Sequence, residues 1–314
     1  NYVLKITVNI FDVHASDNLY VNNSTADPSN HEYAWNNSNI PVLPTSWQTS
    51  GTELGFFFMS DAVNQGAGWY IEIESVAATT TTTPGLWTGA DSQNWNDANN
   101  WDDGSVPTSS VAVTIPTSAS YTNAPNVNVD ATCASITVAS GAVITVANAK
   151  TLTVSGLSDI EGTLTGAGTF DANGTFDATG GTISMSGALY LSSTVTSLGA
   201  LSNNQGTVKY DGGTAALADD YFNLVFSSGN TNSANGTITV AGDLTVSSGT
   251  TFQTLNVTVT GNSDIDGTLL MSTSTFDANG SFDATNGAVT FSGSGHLKLG
   301  SIVTSLGTFT RSTS

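Results

Sequence analysis

Basic residues are scarce in this 314-residue chain: five Lys and Arg face 25 Asp and Glu, for a net charge of −20. Nucleic acid is therefore excluded as a partner, since no Lys/Arg cluster could neutralise phosphates. Attraction to anionic lipid is disfavoured for the same reason. Cysteine occurs once, as Cys133, which excludes an intrachain disulfide and a cysteine-based metal cluster. Its setting, Ala-Thr-Cys-Ala-Ser-Ile-Thr-Val, marks a small buried filler and not a nucleophile. No apolar run is long enough to span a membrane. Nor does any stretch carry the period of an amphipathic helix. Charged residues make up only 10% of the chain, and Thr, Ser, Asn and Gly take their place, as on the exterior of a secreted β protein.

What is present is strand sequence. Hydrophobic residues, 39% of the chain, are mostly Val, Ile, Leu and Phe in short alternating runs, so the expected fold class is all-β. The stretch from Leu152 to Leu201 also reappears, little changed, from Val257 to Phe309. Asp159-Ile-Glu-Gly-Thr-Leu answers Asp264-Ile-Asp-Gly-Thr-Leu at an offset of 105, and Val195-Thr-Ser-Leu-Gly answers Val303-Thr-Ser-Leu-Gly at 108. An internal duplication of 105–108 residues is the mark of a stacked, quasi-one-dimensional architecture. The chain starts at Asn1 without Met, and Ser314 falls where the second copy should continue as the first does. It is therefore expected to be a piece of a longer polypeptide.

Residues 79–85, Thr-Thr-Thr-Thr-Thr-Pro-Gly, form a low-complexity linker between two regions. Before it, in 1–78, one basic and eight acidic residues give −7; after it, four basic and 17 acidic give −13. In the first region Leu4–Ile10, Asn18–Val21, Leu54–Met59 and Trp69–Glu74 read as strands of an antiparallel sandwich. The segment holding Pro28, Pro41 and Pro44 reads as loop. Phe11-Asp-Val-His, Asp17-Asn-Leu-Tyr-Val, Phe57-Phe-Met-Ser-Asp61 and Gly66-Ala-Gly-Trp-Tyr-Ile-Glu-Ile, in that order, resemble the second half of a CUB domain. The resemblance covers residues 2–76 and implies a CUB-like β-sandwich whose first strands precede Asn1. It further implies Ca²⁺ binding by Asp17 and Asp61, with His14 standing where the family has Glu. Imidazole is a poor ligand for a hard cation, so the competing reading has both aspartates capping turns.

The second region opens with Leu86-Trp-Thr-Gly, followed by Trp95, Asn100-Trp101 and Val106-Pro. This resembles the segment heading β-helical repeats in large bacterial surface proteins. Physically, Trp87, Trp95 and Trp101 suit a lid over the open end of a solenoid core; a carbohydrate-binding platform is the sharper alternative. The cap is assigned to 86–119. Beyond it, Ile136-Thr-Val, Ile144-Thr-Val and Leu152-Thr-Val start 8 residues apart. Three such strands per coil, stacked ~4.8 Å apart, predict a parallel β-helix over 120–314 with roughly 20–24 residues per turn and eight to ten coils. Tyr210-Asp-Gly-Gly and Asp220-Tyr-Phe-Asn-Leu-Val-Phe resemble the same surface-protein repeats.

Catalytic chemistry finds little footing. Lys150, Lys209, Lys298, Arg311 and His296 are scattered, and no long insertion builds a cleft. Asp159, Asp171 and Asp177 recur as Asp264, Asp277 and Asp283, as turn residues do and a catalytic pair does not. Calcium held between coils is the alternative for these aspartates. The sequence thus points to a non-enzymatic, extracellular protein of a bacterial cell surface, a segment of a filament or adhesin stalk. End-to-end self-association or further repeats would be its partners, with surface glycans or other cells beyond them. The alternative is a glycan- or Ca²⁺-binding recognition module on a β-helical stalk, with Tyr33, Trp35 and Trp47 as its surface.

Overall fold

A computed structural model describes residues 2–22, 33–36, 38–39, 42–43, 45–48, 54–61, 66–77, 82–202 and 204–311. The chain divides into two compact units, Asn1–Thr81 and Thr82–Ser314. Among the described residues helix is confined to two 3₁₀ turns, Ala98–Asn100 and Ser118–Ser120. No helix is long and apolar enough to cross a membrane.

The first unit holds six antiparallel strands: β1 (Tyr2–Asp12), β2 (Asn18–Asn22), β3 (Tyr33–Trp35), β4 (Thr45–Gln48), β5 (Gly55–Met59) and β6 (Gly68–Ala77). They form two sheets, ordered β4-β1-β6 and β3-β2-β5. Both sheets feed one core, in which Val8, Phe11, Val13, Leu19, Val21 and Trp35 are buried. The loop expected between residues 22 and 54 carries two strands, β3 and β4. Each is short and lies at a sheet edge, and β4 starts directly after Pro44, a placement that spares the ladder a missing donor.

The second unit is a parallel β-solenoid of about ten turns from residue 112 onward. Its first strand, Ala112–Ile115, lies within the segment read as cap, so the cap proper ends before it. One face is a continuous ten-stranded sheet running from Ala131–Cys133 to Val303–Ser305. The other two faces are each built of two five-stranded sheets, one in either half. Coil length, read from facing residues, runs from 16 (Thr207 to Asn223) to 23 (Val113 to Ile136), shorter on average than expected. Inside a strand alternate residues are buried, as in Thr151–Val154, where Leu152 and Val154 point in and the threonines out. Cys133 is one of these inward residues, and burial pushes its thiol up to about 12.

The two similar stretches do not occupy the same faces. Ser158–Ile160 belongs to the sheet of Ala112–Ile115, Ser135–Val138, Phe176–Asp177 and Val195–Ser197, whereas its counterpart Ser263–Ile265 lies on the ten-stranded face. Thr169–Ala172 is on the ten-stranded face, and its counterpart Thr275–Ala278 is not. The reason is arithmetic. Sixteen named strands, plus the isolated Ala216–Ala234 bridge where a strand is missing, put Ser263–Ile265 seventeen face positions after Ser158–Ile160. Seventeen is not a multiple of three, so the counterpart falls two faces on, which equals one face back.

The ladders of two faces stop at the shortest coil, where Tyr210 and Tyr221 fill the interior. Their hydroxyls are 3.0 Å apart; Leu217 N donates to Tyr210 Oη, and Tyr221 Oη donates to Leu217 O. Since the Tyr221 proton is committed to that carbonyl, Tyr210 must donate to Tyr221. No polar atom of the pair is left unmet, as burial demands.

Candidate functional site

In the first unit the turn from β1 into β2 brings Asp17 and Asp61 together. Asp17 is 5% exposed, and its Oδ1 accepts from Asp61 N at 3.0 Å. Ser16 Oγ donates to Asp61 Oδ2 at 2.7 Å, and His14 Nδ1 lies 2.7 Å from Ser16 Oγ. With the Ser16 proton given to Asp61, the 2.7 Å contact requires His14 Nδ1 to carry hydrogen. The imidazole thus joins a hydrogen-bonded chain to Asp61 and offers no lone pair from Nδ1. A Ca²⁺ ion asks for six to eight oxygens. Here one oxygen of each aspartate already serves an internal hydrogen bond, so main chain and water would have to complete the shell. Among the described residues no group of three or more His, Cys, Asp and Glu is arranged to hold a metal.

Beside Asp17 lies an open cavity of about 270 Å³, lined by Asp12, Asp17, Phe58, Ser60 and Trp69 among others. Phe58 and Trp69 are about two-fifths exposed, and Trp69 stacks on Phe56 with ring centres 6.2 Å apart. This set differs from the aromatics to which the sequence points. Trp35 is buried, edge-on to Phe11 at 6.3 Å, and is a core residue with no face to offer a ligand. The side chains of Tyr33 and Trp47 lie outside the described residues. The signal for the exposed set is the unbroken Phe56-Phe-Phe-Met run, in which a strand must turn alternate apolar residues outward.

At the head of the solenoid Trp87, Trp95 and Trp101 are fully buried and pack on one another, Trp101 edge-on to both others at 5.0 and 4.8 Å. Trp87 Nε1 donates to Asn123 O and Trp101 Nε1 to Trp95 O. No ring face is open, which rules out these three as a sugar platform and leaves the lid. Buried Asn100 organises the loop. Its Oδ1 accepts from Asp91 N and Ser92 N, while its Nδ2 donates to Ser92 Oγ and Asn94 O. Bridges from Leu86 to Thr114 and from Asn94 to Asn126 lay the cap on the edges of two faces.

The repeated aspartates point outward along the rod. Asp177 and Asp283 accept from the backbone N and hydroxyl of Thr179 and Thr285, closing equivalent turns. Asp283 is held below the usual carboxylate range by those bonds, the hydroxyl's first. Asp264 is raised, by burial and then by repulsion from Asp266 and Asp283. Asp171 accepts from Thr153 Oγ1, and Asp277 lies 3.5 Å from Lys298 Nζ. The outward row of the ten-stranded face reads Thr132, Thr153, Asp171, Tyr190, Lys209, Val225, Thr245, Asp264 and Asp283. It is a mixed surface, with Lys209 Nζ 4.4 Å over the Tyr190 ring. Such a row keeps the rod solvated and builds no cleft.

Residues 86–174 match a family model described as a domain of unknown function, DUF8693. No curated protein matches the chain, and no solved structure does. The matched span runs from the tryptophan cap through the strand Thr169–Ala172, so the lid and the first coils fall within one family unit.

Proposed function

We propose that the chain is a non-enzymatic structural or adhesive segment of an extracellular protein at a bacterial cell surface, a rod that carries its first unit away from an anchoring point. The observation that carries this reading is the continuous core: one file of inward apolar side chains runs from Val113 to Phe291 under a three-sided wall of parallel strands. At ~4.8 Å per coil, about ten coils make a stalk ~50 Å long. The Thr/Ser/Asn exterior and the charge of −20 suit life outside the cell and discourage lateral clumping. The resemblance of the Trp87–Trp101 segment to the heads of surface-protein repeats supports the same location. An antibody to the rod should label intact, unpermeabilised cells, and external protease should remove the signal. Labelling only after permeabilisation would refute the location.

A second reading rests on the cavity beside Asp17. The strand order of the first unit fits a CUB-like sandwich, and Trp69, Phe58 and carboxylates around an open cavity are the chemistry of a glycan- or Ca²⁺-binding surface. Glycan-array binding by the whole chain that Trp69→Ala abolishes would favour it. An array without selective binding would leave the stalk reading alone.

A further inference from the structure

The two similar stretches allow the same residue to be seen covered and uncovered. Leu191, Val195 and Leu198 are 0, 8 and 2% exposed, whereas their counterparts Leu299, Val303 and Leu306 are 38, 40 and 36% exposed. Leu201 is half-buried, and its counterpart Phe309 is 52% exposed. In the first stretch the chain's own next coil lies over these side chains, with Thr207–Tyr210 paired in parallel to Ala188–Leu191. In the second, His296–Leu299, Val303–Ser305 and Thr308–Arg311 each end their sheet with an unpaired edge. Those edges border a cavity of about 310 Å³ lined by Phe291, Leu297, Leu299, Leu306, Phe309 and Arg311 among others. The surface is therefore one that this chain's own kind of coil is built to cover.

Charge decides where a second copy can approach. No Asp or Glu follows Asp283, while Lys298 and Arg311 do, so residues 284–314 carry +2 in a chain of −20. Sides of the rod repel one another; this end does not share that acidity. The opposite end is closed by the tryptophan lid, bridged onto Thr114 and Asn126. One open and one closed end cannot give a head-to-tail filament.

We propose that the open end is a self-docking surface, at which two copies of the chain pair coil end to coil end about a two-fold axis. Strands that circle the rod in one sense meet antiparallel across such an axis, so each unpaired edge finds donors and acceptors on its counterpart. The contact is isologous and closes at two copies. It does not depend on where the rod is displayed. Sedimentation of the whole chain at about 50 µM, far above a micromolar dissociation constant, should give twice the mass of the 32.1 kDa chain. Val303→Asp with Phe309→Asp should weaken pairing at least tenfold while far-UV dichroism and melting stay unchanged. Ile302→Asp, at a position 71% exposed, repeats the test with the least strain on folding.

Spin labels fix the geometry. Labels at Thr310→Cys should lie within about 40 Å across the pair, and labels at Ala119→Cys, an exposed position near the lid, beyond about 80 Å, since two ~48 Å rods separate them. A monomer at that concentration, a dimer indifferent to all three aspartates, or Ala119→Cys labels that approach one another would each overturn the proposal.

Discussion

Tyr210 donates its hydroxyl hydrogen to Tyr221 across 3.0 Å, and both phenols are tied to the backbone of Leu217 inside the shortest coil. Two faces lose their ladders there, and this buried pair takes over the task of joining the halves. Tyr221→Phe leaves the Leu217 carbonyl and the Tyr210 hydroxyl without partners. A loss of about 1–3 kcal/mol is expected, since a buried group is stranded each time. Tyr210→Phe should cost a similar amount, and the double variant less than the sum, because the two share one network. Denaturant unfolding of the three variants checks this.

The same pair sets an alkaline limit. Burial is the main cause that pushes Tyr210 up to about 12 and holds Tyr221 well above the ordinary value of 10.0. The folded state therefore holds these protons more tightly than the unfolded chain. Its stabilising effect is complete below pH 10 and is lost as pH rises from there through about 12. Melting temperature should fall in that window, and it should fall less in Tyr210→Phe. Tyrosinate absorbance of these two residues should appear only with unfolding.

Close backbone stacking makes a different prediction at the turns. A methyl on Gly261 would sit 2.3 Å from Gly242 O in the coil below, and one on Gly280 would sit 2.0 Å from Gly261 O. Gly261→Ala should thus cost about 1–3 kcal/mol by overpacking. Because each coil touches only its neighbours, hydrogen exchange should quicken around 238–283 and stay slow in the coils next to the lid.

Asn100 offers the converse test at the lid. Four hydrogen bonds converge on its buried amide, and Asn100→Ala leaves their partners unmet. A loss of roughly 2–4 kcal/mol is expected, read as faster exchange in Ala112–Ile115 and Ser135–Val138 before any change beyond Asn223.

In the first unit, Asp61→Ala removes the acceptor of the Ser16 hydroxyl and should lower that unit's melting by about 1 kcal/mol of stability. Any shift produced by Ca²⁺ or EDTA should be confined to the same transition and vanish in this variant. A cation effect on the rod's transition would show that its aspartates bind metal.

Much of this architecture is legible in the sequence because it is local. Ile136-Thr-Val and Leu152-Thr-Val alternate with turn residues, and period two with β-branched residues dictates half-buried strands whatever lies around them. The tryptophan lid is readable for the same reason: three large rings near a first coil have nowhere else to go. The face shift is not readable. An offset of 105–108 residues fixes no strand count when coils vary from 16 to 23 residues and one strand is reduced to the Ala216 bridge. Trp35 misleads because a single Trp in a Pro-containing segment carries no period to say which side it faces. Ala112–Ile115 reads as cap because no turn glycine separates it from Val106-Pro. At the aspartates, sequence places Asp17 and Asp61 together, but the Ser16 link from His14 to Asp61 depends on a turn geometry that no pattern encodes.

The account stands or falls on a parallel solenoid that rises one strand per coil, and a distance ruler along the ten-stranded face measures that rise. Cys133 is buried, so labels can be confined to introduced cysteines. Thr132 and Thr245 are six ladder steps apart, and Thr132 and Asp283 are eight. At ~4.8 Å per step the pairs Thr132→Cys/Thr245→Cys and Thr132→Cys/Asp283→Cys should give about 29 and 38 Å, with label linkers common to both. Two distances that differ by about 10 Å in that order support the solenoid. Equal distances, or a shorter one for the pair farther along the ladder, would contradict it.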